Sequence, residues 1–165
     1  MLGRFLGRMH LRSQAGFGKL NTALRPAQDY CRAAVASARS TVDSAWSRDR
    51  DRLVSLMAGF DPACVATTCA TVMPDISGNQ FLFDDFGIAA VVDIDSHVAG
   101  PVELELTVAE WCLVDHAAFA DGYQEVRPLP KFSDFRAFHR ATMLINKEAL
   151  GGDLDRLLTE NAYFD

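Results

Sequence analysis

No apolar run in this sequence approaches the roughly 20 residues needed to cross a bilayer, so a membrane-spanning helix is not expected. Cys31, Cys64, Cys69 and Cys112 show neither CxxC nor Cys/His ligand spacing, which argues against a zinc frame. With no secretory signal ahead of them, they read as reduced, buried thiols, and the compartment expected is cytoplasmic. A basic surplus is also missing. The net charge of −6 argues against a general nucleic-acid surface, which needs a basic patch or stripe. Internal repeats and low-complexity tracts are absent. His10, His97, His116 and His139 lie far apart, without ligand spacing, and read as surface or packed residues.

The 165 residues are 49% hydrophobic and 23% charged, enough for one well-buried core, and a single domain is the default. Arg4, Arg8, Arg12, Lys19 and Arg25 precede any acidic residue, a composition shared by transit peptides and basic helix faces. Leu2, Phe5, Leu6 and Met9 make an apolar stripe at helical spacing, which favours a helix that a folded domain can bury. Residues 13–26, with Gly16, Gly18 and Pro26, read as a connecting loop. Gly16-Phe17-Gly18-Lys19 only faintly echoes a phosphate-binding loop: the first glycine is missing and Leu20 stands where Ser or Thr belongs.

Residues 27–60 carry apolar side chains at helical intervals and predict one long helix, or two with a break near Ser47. The alternating charges of residues 48–52 suit a solvated helix face. Residues 64–73 suit an extended segment. Residues 96–101 read as a loop. From Val102 the alternation of a strand competes with helix spacing through Leu104, Val108, Trp111, Asp115 and Phe119; length favours a helix running to about Ala120. Residues 122–131 form a loop, Ser133 caps a further helix, and Asp153 caps a last one ending near Tyr163. Many helices around few strands make an α+β arrangement.

Chemistry concentrates in residues 72–95, VMPDISGNQFLFDDFGIAAVVDID. Turn residues alternate with the apolar runs FLF and IAAVV, which predicts a strand hairpin about Asp85-Phe86. Symmetric pairing sets Gln80 opposite Val91, with Asp93 on the same side as a diagonal neighbour roughly 7–8 Å away. An amide oxygen and a carboxylate so placed suit one cation, with Asp75 beside them. Phosphoryl transfer needs this set: a carboxylate near the acceptor hydroxyl and oxygen ligands for magnesium on the phosphates. Asp75, Ser77, Gly78 and Asn79 equally suit a tight turn. Asp95 reads as a solvent-facing residue.

The order of these residues resembles the aminoglycoside phosphotransferase and choline kinase family, which has a protein-kinase-like fold. Asp75, with Gln80 five residues on, resembles the HGDxxxxN catalytic loop, and Asp93 falls on the aspartate of the IDxx segment. GPVELEL at residues 100–106 resembles GDPxxDL, with Glu105 as its acidic member. FADGY at 119–123 resembles FxxGY, and LGRFLGRMH at 2–10 resembles the helix ending in LH. The resemblance implies a mostly helical carboxy-terminal lobe over residues 1–165, with a small β-hairpin bearing the site residues. It implies transfer of the ATP γ-phosphoryl group to a small-molecule hydroxyl, with Asp75 as base and Gln80 and Asp93 on Mg2+. Met73 replaces the family's histidine. Lys19 is the only lysine before Lys131, and no strand-turn-strand glycine loop is present, so the ATP-covering lobe is expected to be absent from the chain. A non-catalytic kinase-like binding or scaffold module is the alternative, and an unrelated α+β protein with an acidic hairpin is a third.

Overall fold

The computed structural model describes residues 1–45, 50–59, 68–74, 76, 78–131, 133–146, 155, 159 and 162–164. Among them, six helices surround two small antiparallel sheets, an α+β arrangement. The helices are α1 (Leu2–His10), α2 (Ala27–Ala45), α3 (Arg50–Gly59), α4 (Val102–Cys112), α5 (His116–Gln124) and α6 (Ser133–Asn146). The strands are β1 (Gly18–Lys19), β2 (Cys69–Val72), β3 (Phe81–Asp84), β4 (Gly87–Val91) and β5 (Val98–Pro101). None of the described helices is long and apolar enough to cross a membrane.

The stripe on α1 is buried as its spacing predicts. Leu6 is fully enclosed, and Leu2, Phe5 and Met9 pack against the main core. This helix lies close to α5 because Gly3 and Gly7 face it: a Cβ on Gly3 would stand 2.0 Å from the Phe119 carbonyl oxygen. The stretch 27–60 holds two helices, α2 and α3; its predicted break at Ser47 falls outside the described residues. Val35, Ala38 and Leu53 join Phe17, Phe138 and Ala141 in a second core.

Two segments expected as loops are strands. Residues 98–101 form β5, the centre of the sheet β1-β5-β2, pairing with β2 from Cys69↔Pro101 to Val72↔Val98. Gly100 and Pro101 look like loop punctuation in the sequence. In the fold, however, a Cβ on Gly100 would stand 2.6 Å from a Val72 methyl group, so the glycine permits close approach inside the sheet. Within the expected loop of residues 13–26, Gly18 and Lys19 pair with Ala99 and Val98.

At Val102 the competition between strand and helix resolves to helix. Pro101 precedes the first turn, and Glu103 and Glu105 near the amino end complement the helix dipole. Nearly every position of α4 is buried, so its apolar residues need no single face. The helix stops at Cys112, short of the expected Ala120, because Leu113 is extended and Asp115 starts a new helix. The Asp115 carboxylate accepts from the Ala118 N–H at 2.9 Å, an amino-terminal cap. Helix α5 then runs to Gln124, three residues into the stretch expected as loop. The proposed cap at Asp153 falls outside the described residues.

Candidate functional site

Strands β3 and β4 form the hairpin expected over 81–91. Asp84 closes its turn, accepting through Oδ1 from the N–H groups of Phe86 at 2.8 Å and Gly87 at 2.9 Å. Gly87 has φ +141, a backbone open only to glycine at low cost. The register departs from symmetric pairing by one residue. Asp84 pairs with Gly87 and Phe83 with Ile88, but a bulge follows, and Leu82 pairs with Ala90 and Phe81 with Val91. The extra residue, Ala89, turns the far end of the hairpin. Gln80 therefore lies opposite Val92, whose N–H donates to the Gln80 carbonyl at 2.9 Å, and not opposite Val91.

The bulge brings Gln80 and Asp93 to the same end of the hairpin but removes the simple same-face argument for them. Asp93 instead ends the alternation: its backbone is left-handed, at φ 56 and ψ 53. Among the described residues it is the only non-glycine with positive φ. Such a conformation is strained for a residue with a Cβ, and strain of this kind concentrates at functional positions. Gln80 ends a 3-10 turn (Gly78–Gln80) and is 5% exposed, whereas Asp93 stands in solvent. Asp75 lies outside the described residues. No group of three or more His, Cys, Asp and Glu side chains converges as a metal cage among the described residues.

The segment entering this region is tied to α4 by a buried polar chain. The Met73 N–H donates to Glu105 Oε1 at 2.5 Å, and Glu105 Oε2 meets His10 Nε2. His10 Nδ1 lies 2.7 Å from the Tyr123 hydroxyl, and Arg127 donates to the His10 carbonyl at 2.6 Å. Burial pushes the Tyr123 hydroxyl well above its ordinary range; Arg127 opposes this, and Glu105 and Glu103 add to it. Tyr123 thus stays protonated and its hydroxyl shares a hydrogen bond with His10 Nδ1, while Nε2–H donates to the Glu105 carboxylate. Sequence reasoning placed Glu105 and His10 in separate motifs and missed their contact. Helix spacing carries no information about a partner 95 residues away.

A second buried acid, Glu110, fastens the other end of α4. It accepts from Arg136 at 2.9 and 3.0 Å, from Arg140 at 3.3 Å, and from the N–H groups of Tyr163 and Phe164 at 3.0 and 3.2 Å. Cys69 and Cys112 are not in disulfides, as expected, but neither is fully buried: Cys69 is half-buried and Cys112 exposed. Burial, reinforced by Glu103, pushes the Cys69 thiol up to about 11, and it donates to the Gly16 carbonyl at 2.9 Å. His10 is packed, in line with the expectation for the histidines.

Searches against family models, curated proteins and solved structures return no match to this chain.

Proposed function

We propose that the chain is the carboxy-terminal lobe of a small-molecule kinase with a protein-kinase-like fold, acting in the cytoplasm on ATP and a hydroxyl acceptor. The observation that carries this reading is Asp93, an acid held in a strained left-handed backbone beside Gln80 at the end of the hairpin. An amide oxygen and a carboxylate are hard donors, and Mg2+ takes one or two carboxylates plus substrate oxygens and water, so the donor set fits. Bound there, the ion would neutralise charge on the ATP phosphates.

In the reaction, the acceptor hydroxyl oxygen bonds to the γ-phosphorus as the bond from that phosphorus to the β,γ-bridging oxygen breaks, and ADP leaves. The hydroxyl proton passes to the Asp75 carboxylate. Glu105 is a positioning residue: through the Met73 N–H it fixes the segment that leads to Asp75, while His10 and Tyr123 hold Glu105.

Titration with Mn2+, a paramagnetic substitute for Mg2+, tests the metal site. The amide signals around Gln80 and Asp93 should broaden, and Asp93→Ala should remove the effect. Equal broadening in the variant would sink the assignment. The non-catalytic module is favoured by one feature: Met73 is fully buried and apolar where the resemblance calls for histidine. Calorimetric titration with Mg-ATP separates the two readings, because a scaffold should show no metal-dependent nucleotide binding.

A further inference from the structure

A cleft of about 510 Å³, a size suited to a small molecule, is lined in part by the residues that follow Asp93 in the chain. One wall is the turn after β1, with Lys19, Leu20 and Asn21; the other is the turn after Asp93, with Ile94, Asp95 and His97. The pairing of β1 with β5 brings these walls together, since Lys19 lies opposite Val98, the residue after His97. Each wall is held internally. The Thr22 N–H and hydroxyl both donate to the Lys19 carbonyl at 3.0 Å. The His97 N–H and ring Nδ1 both bond the Ile94 carbonyl, at 3.1 and 3.0 Å.

The charges of the cleft are of opposite sign and unjoined. Among the described residues, Lys19 and Asp95 form no ion pair with each other or with any other side chain. A ligand of one sign is attracted by one wall and repelled by the other. A ligand carrying both signs satisfies both. His97 adds a third element: its Nδ1–H is committed to a carbonyl, so in the neutral ring Nε2 keeps its lone pair and can accept a hydrogen bond from a ligand hydroxyl.

We propose that this cleft binds a small hydroxyl-bearing zwitterion, its carboxylate on Lys19 and its ammonium on Asp95, and that this molecule is the hydroxyl acceptor of the reaction proposed above. The second clause rests on the phosphotransfer reading; the first does not. Lys19 and Asp95 are both exposed, so each contact is screened and binding is expected on the order of millimolar.

The test is titration of the isotope-labelled full chain, followed by amide NMR, with L-serine and its two half-molecules. Ethanolamine keeps the amine and hydroxyl, and glycolate keeps the carboxylate and hydroxyl. L-serine should shift the Lys19, Asn21 and His97 signals saturably, and each half should bind about tenfold more weakly. Lys19→Ala should weaken L-serine and glycolate but not ethanolamine; Asp95→Asn should weaken L-serine and ethanolamine but not glycolate. Equal binding of the halves, indifference to both substitutions, or no saturable shift with L-serine would each overturn the proposal. The Mn2+ titration keeps the two readings apart. L-serine binding without metal broadening at Asp93 supports the cleft and refutes the phosphotransfer reading, whereas broadening without L-serine binding does the reverse.

Discussion

On α4, Glu105 and Glu110 are withdrawn from water and their carboxylates are met by His10, Arg136, Arg140 and backbone N–H groups. On the hairpin and the turn after it, Asp84, Asp93 and Asp95 stand in solvent within a dozen residues of one another. Residues of one chemical type thus divide into two roles. A buried carboxylate is tolerable only with its hydrogen bonds made, so each acid on α4 commits several distant groups to one arrangement. An exposed carboxylate needs no partner to be stable, which leaves it available to a ligand. Asp84 spends its oxygen on the hairpin turn. Asp93 and Asp95 do not, and Asp93 alone carries a strained backbone.

Removing the buried acids should give the largest effects. Glu110→Ala leaves two arginines and two N–H groups near a cavity and should cost about 3–5 kcal/mol in urea unfolding. Glu105→Ala should cost about 2–3 kcal/mol, with faster hydrogen exchange at the Met73 amide. Losses below 1 kcal/mol in both would erase the contrast between the two regions.

Asp93 should behave in the opposite way. Asp93→Gly relieves the left-handed backbone and should raise stability by about 0.5 kcal/mol while abolishing Mn2+ broadening. A loss of stability would mean that the carboxylate helps to hold the fold and belongs with the acids of α4.

The smallest effect concerns pH. Burial, reinforced by Glu103, raises the Cys69 thiol from the ordinary 9.0 to about 11. The unfolded chain ionises first as pH rises, so this contribution to stability is present below pH 9.0 and declines toward about pH 11. A thiol reagent at pH 8 should label exposed Cys112 well before Cys69; comparable rates would show that burial does not protect Cys69.

Much of the framework was legible because it is written locally. The stripe Leu2, Phe5, Leu6 and Met9 has the period of a helix, and the runs FLF and IAAVV flank turn residues. The end of α4 was not legible, because Asp115 passes for one polar exception in a helical pattern when it is in fact the cap of α5. Strand β5 was missed for a similar reason. Gly100 signals a loop unless Val72 is known to press against it. The hairpin was read in the right place but in the wrong register, since no pattern in IAAVV marks Ala89 as the bulged residue.

By itself, then, the sequence determined which residues alternate, which cap and which interrupt, and so the α+β class, the hairpin and the candidacy of Gln80 and Asp93. These depend on interactions within a few residues, where spacing and side-chain type suffice. Only the tertiary structure decided which acids are consumed by the fold and which remain open. Glu105 must find His10 from 95 residues away, and Lys19 must be carried by the β1–β5 pairing to the turn after Asp93. Those meetings are settled by the packing of whole elements, and no local pattern encodes them.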